Sequence, residues 1–139
     1  MIVIKGASIV PGRSKGQLLV SLNPISFLGM VDPVKGEIVA GETNLINMKI
    51  SGSILAFPYM VGSTVAPYVI YRMKKLKTSP AAIVVQSADP SLASGCALTE
   101  IPLIDHIDIS SIYMYNLRQA EVDGESGALV IMDDKNGMD

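Results

Sequence analysis

Ser53-Ile54-Leu55-Ala56-Phe57 runs into Pro58-Tyr59-Met60-Val61-Gly62-Ser63-Thr64, and Val65-Ala66-Pro67-Tyr68-Val69-Ile70-Tyr71-Arg72-Met73-Lys74-Lys75-Leu76 follows. The first run is short, apolar and bounded by Gly52 and Pro58, so it reads as a buried strand. In the last run Val65, Val69 and Met73 recur at a spacing of four, with Ala66, Ile70 and Leu76 beside them. That is one face of a helix. Arg72, Lys74, Lys75 and Lys77 fall in its final turns, where cations meet the negative end of the helix dipole. Ser63 or Thr64 is a natural N-cap. Pro67 would break a helix interior, but in the first turn few backbone bonds are lost.

Outward from this unit the alternation continues. Residues 81–86 are β-branched and predict a strand, residues 91–98 a short helix, and residues 101–104 another strand. Strand, helix, strand, helix, strand in succession marks a parallel α/β layer. Towards the N-terminus, residues 2–5, 17–22, 25–28 and 37–40 read as short strands. Pro11-Gly12, Asn23-Pro24, Asp32-Pro33 and Lys35-Gly36 mark the turns between them. Towards the C-terminus, Asp123-Gly124 and Ser126-Gly127 precede an apolar run at 128–132 and predict a terminal hairpin. Residues 133–139 are polar and predict a frayed tail. The expectation is one domain over 1–139, with a β-rich first layer backed by a parallel α/β layer.

The chain has 139 residues, of which 49% are hydrophobic and 17% charged, and the mean hydropathy is +0.40. Soluble domains carry roughly 25% charge. Disorder is excluded by this hydrophobicity, and a net charge of −2 gives no footprint for nucleic acid. Residues 50–71 are uncharged over a membrane-spanning length. But Gly52, Pro58, Gly62 and Pro67 break the run, so no membrane span is expected. The N-terminus lacks a signal-peptide pattern. Cys96 has no second cysteine to pair with, so the cytoplasm is the expected compartment.

The junction around Ser63 is the most informative place for chemistry. A strand-to-helix turn presents backbone N–H groups that favour anions, and it lies where α/β ligands bind. Ser63 reads either as a residue that binds or reacts with an anionic substrate or as a plain N-cap. Arg13 reads either as a clamp for a carboxylate or phosphate or as part of a surface turn. Cys96 sits in an apolar setting and reads as a core residue. His106, the one histidine, lies between Asp105 and Asp108 and reads as an exposed loop residue. No metal-ligand set stands out.

Several stretches together resemble one family. Pro24-Ile25-Ser26-Phe27-Leu28-Gly29-Met30-Val31-Asp32-Pro33 continues into Val34-Lys35-Gly36-Glu37-Ile38. Ile54-Leu55-Ala56-Phe57-Pro58, Gly62-Ser63-Thr64-Val65, Ser79-Pro80-Ala81-Ala82-Ile83 and Gly95 through Glu100-Ile101-Pro102-Leu103-Ile104-Asp105 follow in order. This series resembles the aconitase X small-subunit, or swivel-domain, family. The resemblance implies a swivelling β/β/α fold and a large partner subunit in a heterodimer. It implies an iron–sulfur cluster, of [4Fe-4S] type, held by that partner's cysteines and not by this chain. It also implies dehydration of (R)-5-phosphomevalonate to trans-anhydromevalonate 5-phosphate in an archaeal mevalonate route.

On the same ground Ser63 corresponds to the family's proton acceptor; Gly62 and Thr64 are expected to shape the anion pocket, and Arg13, read from its residue type, is a candidate substrate contact. Removing a proton beside a carboxylate needs a base, and losing hydroxide needs a Lewis acid, which cluster iron can be. Family members place a basic residue before the Gly-Ser-Thr run, where this chain has Met60-Val61. Charge then has to come from the partner or from Arg13. Two alternatives follow, a hydroxyproline dehydratase of the same family or a non-catalytic scaffold subunit. The surplus of apolar residues fits a subunit that covers a partner. An exposed apolar patch is therefore expected near residues 24–31, Met60 and Val61, on the Ser63 side.

Overall fold

The computed structural model describes residues 1–62 and 64–133. Its centre is the run that opened the sequence. Strand β6 (Ile54–Phe57) is buried along its whole length and lies between β3 (Arg13–Val20) and β7 (Ala82–Val85), parallel to both. Beyond β7 lies β8 (Leu103–Asp105), also parallel. Buried parallel strands read as continuous apolar runs, which is how Ile54-Leu55-Ala56-Phe57 and Ala82-Ile83-Val84-Val85 read.

Alternate residues of these strands enter two separate cores. Leu19, Leu55, Phe57, Ile83, Val85 and Leu103 face helices α2 (Ala66–Leu76) and α3 (Pro90–Thr99). Leu18, Val20, Ile54, Ala56, Val84 and Ile104 face the opposite way. There they meet Ala120 and Val122 of β9 (Gln119–Asp123) and Leu129 and Ile131 of β10 (Ala128–Ile131). The result is a β layer on a β layer, covered by helices, as expected for the swivelling β/β/α class.

Strand β3 belongs to both β layers. Its first half, Arg13 to Gln17, pairs antiparallel with β9, and its second half, Leu18 to Val20, pairs parallel with β6. Its burial alternates in the first half and is complete in the second. The sheet order is β1-β10-β9-β3-β6-β7-β8-β2, where β1 is Ile2–Lys5 and β2 is Ala7–Val10. The two end strands are joined only by Gly6. Its N–H donates to Gly127 O at 2.8 Å, and a Cβ there would lie 2.2 Å from Asp105 O. The sheet thus curves until its two ends meet at one residue.

Several expectations need correction. Residues 25–28 form no strand. Ile25 makes a single parallel bridge to Met60, and α1 (Phe27–Met30) is one helical turn capped by Ser26. The i, i+3 spacing lets Phe27 and Met30 bury together, which an extended run would not. The predicted strand at 17–22 starts four residues earlier, because its exposed half is held by β9 rather than by hydrophobic burial. Strand β2 and the short helix α4 (Ile109–Ile112) carried no usable sequence signal. On α2, Ala66, Ile70 and Met73 of the expected face are buried and Val69 packs partly against the core, whereas Val65 and Leu76 are exposed, so the buried face is narrower than expected. The predicted tail lies, apart from Asp133, outside the described residues. The two-residue strands β4 (Val31–Asp32) and β5 (Glu37–Ile38) form a separate small ribbon.

Phe57 ends β6 and meets Phe27 edge-on, with ring centroids 6.2 Å apart at 67°. Replacing it leaves a cavity between the sheet and α1. Phe57→Ala should lower the unfolding free energy by about 3–5 kcal/mol in urea titration monitored by circular dichroism.

Candidate functional site

Because β3, β6, β7 and β8 are parallel, their carboxyl ends share one edge of the sheet. The backbone stitches that edge together. Ser21 N–H donates to Ala56 O at 2.8 Å, Gln86 N–H to Pro58 O at 2.9 Å, and His106 N–H to Gln86 O at 3.1 Å. Pro58 O also accepts from Ser87 N–H at 3.1 Å. The segment after β6 is then held from the other side. Ile25 N–H donates to Tyr59 O at 3.3 Å, and Val61 N–H donates to Ile25 O at 3.0 Å. Met60, between these bonds, is buried in the helix-side core.

Gly62 follows with φ of 112°, in the region that side-chain-bearing residues avoid, and a Cβ there would come within 2.9 Å of Ser26 Oγ. The backbone conformation calls for glycine, and a larger residue would also displace the Ser26 hydroxyl. Ser63, the leading candidate, lies outside the described residues. Thr64 is exposed and reaches the head of a groove between α2 and α3. Gly62 and Thr64 therefore stand on the same stretch of the carboxyl edge. Neither caps the helix: Val65 occupies the N-cap position and makes no side-chain capping bond.

The start of α2 is poorer in donors than the sequence suggested. Pro67 has no N–H. The amides of Tyr68 and Val69 both donate to Val65 O, at 3.0 and 3.4 Å. Of the first helical turn, Ala66 supplies the remaining amide. The second helix on this face is better organised. Asp89 Oδ1 accepts from Leu92 N–H at 3.0 Å, and Pro90 starts the helix.

Arg13 is not part of this edge. It opens β3 five residues before Leu18, which pairs with Ile54, so eight residue steps separate its level from that of Phe57. At about 3.3 Å per step that is roughly 26 Å along the strands. Its guanidinium instead pairs with Asp123 across β3 and β9, Nε to Oδ1 at 3.4 Å. Sequence proximity to glycines gave no hint of which end of a strand it would occupy.

Cys96 is buried beneath α3, and burial pushes its thiol up to about 12. An iron–sulfur cluster is held by several thiolates, and Cys96 is the one cysteine of the chain, so this sequence does not supply a cluster's ligand set. Among the described residues no group of three or more His, Cys, Asp or Glu side chains converges. No helix among them is long and apolar enough to cross a membrane.

His106 is exposed, as expected, but it is not isolated. Its Nδ1 lies 2.6 Å from Oδ1 of Asp105, whose side chain is buried. Asp105 Oδ2 accepts from Ala88 N–H at 3.3 Å. The sequence shows the two residues as neighbours, but not that one is buried and the other faces out.

The outer face of the helices is apolar. Tyr68, 74% exposed, stands between two hollows. One, of about 650 Å³, runs between α2 and α3 and is lined by Thr64, Pro67, Tyr71 and Leu98. The other, of about 360 Å³, lies towards α1 and is lined by Leu28, Val31 and Val65. The expected apolar patch is thus present at Leu28 and Val61, but Met60, Phe27 and Ile25 turn inward. Its centre lies further along α2 than the sequence placed it. The two helices pack closely because Gly95 lies against Pro67 and Ile70, where an added Cβ would be 3.2 Å from each.

The model of the aconitase X swivel domain matches residues 3–131. The chain is 40% identical over 131 residues to the phosphomevalonate dehydratase small subunit of Thermococcus kodakarensis, covering 94% of this chain and 97% of that one. It is 45% identical over 129 residues to the protein of the same name from Pyrococcus furiosus, covering 93% and 95%. The crystal structure of Thermococcus kodakaraensis aconitase X in its holo-form superposes with a TM-score of 0.90 at 38% identity, covering 96% of this chain and all of that one.

The buried thiol gives a test of the packing beneath the site. Iodoacetamide should leave Cys96 unmodified in the native protein at pH 8 and modify it in urea. Its folded value lies above the unfolded one, so its contribution to stability is complete below pH 9. That contribution falls as pH rises towards 12, because the unfolded thiol ionises first. The urea midpoint of the native chain should therefore drop over that range more steeply than that of Cys96→Ala.

Proposed function

The chain belongs to the aconitase X swivel-domain family, and from that premise we propose that it is the small subunit of a heterodimeric hydro-lyase. Its substrate in this reading is (R)-5-phosphomevalonate, dehydrated to trans-anhydromevalonate 5-phosphate for isoprenoid synthesis in the cytoplasm. The observation that carries it is the end-to-end match to archaeal proteins named for that activity, with the same fold.

Within this reading Ser63 accepts the proton removed beside the substrate carboxylate. A serine hydroxyl is a weak base unless the alkoxide is stabilised. The chain's own support is limited to the positive end of α2 and the backbone turn at Gly62, with Thr64 bordering the pocket. Met60 is buried and Val61 is uncharged, so the turn itself supplies no cation. The large subunit completes the site, and we place the iron–sulfur cluster there, since the one cysteine of this chain does not supply a cluster's ligand set.

A scaffold role is the second reading, and the donor-poor start of α2 favours it. One comparison separates the two. The native chain and Ser63→Ala are each co-expressed with the large subunit, and dehydration of phosphomevalonate is followed by mass spectrometry. The catalytic role predicts a fall in kcat of at least about a hundredfold, the usual worth of a proton-transfer group. Unchanged turnover leaves the scaffold reading standing.

The large subunit, in the same reading, covers the apolar face around Tyr68. Tyr68→Glu replaces an exposed side chain and should leave the melting temperature unchanged. It should weaken association with the large subunit by tenfold or more, as about 1.4 kcal/mol or above is lost at a central aromatic contact. Isothermal titration of one subunit with the other checks it.

A further inference from the structure

We propose that His106, held by Asp105, is the side chain with which this subunit binds the phosphate end of its substrate. The inference rests on the dehydratase reading and adds a binding residue to it. It begins from a shortage of positive charge. The segments at the carboxyl ends of the parallel strands are residues 21–26, 58–66, 86–91 and 106–110, and none contains a lysine or an arginine. Arg13 is at the far end of β3, and Lys74 and Lys75 are at the far end of α2. A substrate carrying both a carboxylate and a phosphate meets one residue on this edge that is able to become cationic, and that residue is His106.

The geometry equips it for the task. Asp105 is fixed from two sides, by Ala88 N–H and by the imidazole. With Nδ1–H donating to the carboxylate, the ring is oriented and Nε2 is left for a ligand. The side chain is 75% exposed, and Nε2 has no partner among the described residues. The backbone of His106 adopts φ of 63°, a conformation uncommon outside glycine, and its N–H is anchored to Gln86 O. Protonated at Nε2, the ring donates a charge-assisted hydrogen bond to a phosphate oxygen.

The position fits a substrate charged at both ends. Pro58 O accepts from Gln86 N–H, and Gln86 O accepts from His106 N–H, so His106 stands two strand spacings from Pro58, where the segment leading to Gly62 and Thr64 begins. That is about 10 Å between backbones. A substrate with its carboxylate on the segment after Pro58 and its phosphate at His106 would lie along this edge of the sheet.

Two measurements on the complex with the large subunit test this. His106 is the one histidine of the chain, so histidine labelled with ¹⁵N in this subunit alone gives a single imidazole signal. Inorganic phosphate should shift that signal saturably, and an unmoved signal overturns the proposal. His106→Gln should raise KM for phosphomevalonate about tenfold, keep kcat within about twofold, and leave unphosphorylated mevalonate unaffected. His106→Lys should restore most of the loss. Unchanged KM in the glutamine variant, or a fall in kcat at constant KM, also overturns it. If the native complex does not dehydrate phosphomevalonate, the dehydratase reading fails by itself, and the phosphate titration alone decides the role of His106.

Discussion

Strand β6 has no face and no edge open to water. Every backbone group along it must be paired within the protein, because burying an unpaired amide or carbonyl is costly. Its neighbours β3 and β7 meet that requirement, and the parallel register they adopt brings the carboxyl ends of all the central strands level. The alternation of its side chains then divides the interior. Leu55 and Phe57 belong to the core under the helices, Ile54 and Ala56 to the core between the β layers. A one-residue slip would exchange the two sets and place Phe57 where Ala56 now fits.

The segment that leaves β6 inherits this constraint. It is held by backbone bonds from Gln86 and Ser87 on one flank and from Ile25 on the other. Side chains contribute little to its placement, apart from buried Met60. Such a turn is set by the sheet before any ligand arrives, which is the condition under which fixed dipoles act well on a developing charge. The charge itself is not built into the turn, whose residues 58–64 include no lysine or arginine.

Much of this architecture was legible because it is hydrophobic. The buried runs at 54–57 and 82–85 and the terminal hairpin announced themselves through apolar residues between turn formers. Helix α2 was visible through its period and most of its buried face was named, but the margins of that face, Val65 and Leu76, are settled by tertiary packing such as that of Pro67 and Ile70 on Gly95 of α3. What escaped depends on contacts distant in sequence. Arg13 to Gln17 is extended because β9, more than a hundred residues later, pairs with it. The turn at Phe27 follows from a Ser26 cap and from paired burial, which override a β-favouring composition. Gly62 and Thr64 could be placed on one edge from their neighbours alone, whereas Arg13 could not, because direction along a strand is a property of the sheet. His106 looked ordinary because its partner's burial is a tertiary fact.

The meeting of the sheet's ends at Gly6 has a consequence for assembly. The strands that would otherwise be open edges, β1 and β2, are four residues each and form one interrupted segment. Each is already paired on one side, with β10 and with β8. Such short, bent edges offer a poor template for another chain to extend the sheet. If a second polypeptide docks instead through side chains on the helical face, the two keep separate hydrogen-bonded frameworks. One can then turn against the other without breaking a single strand pair.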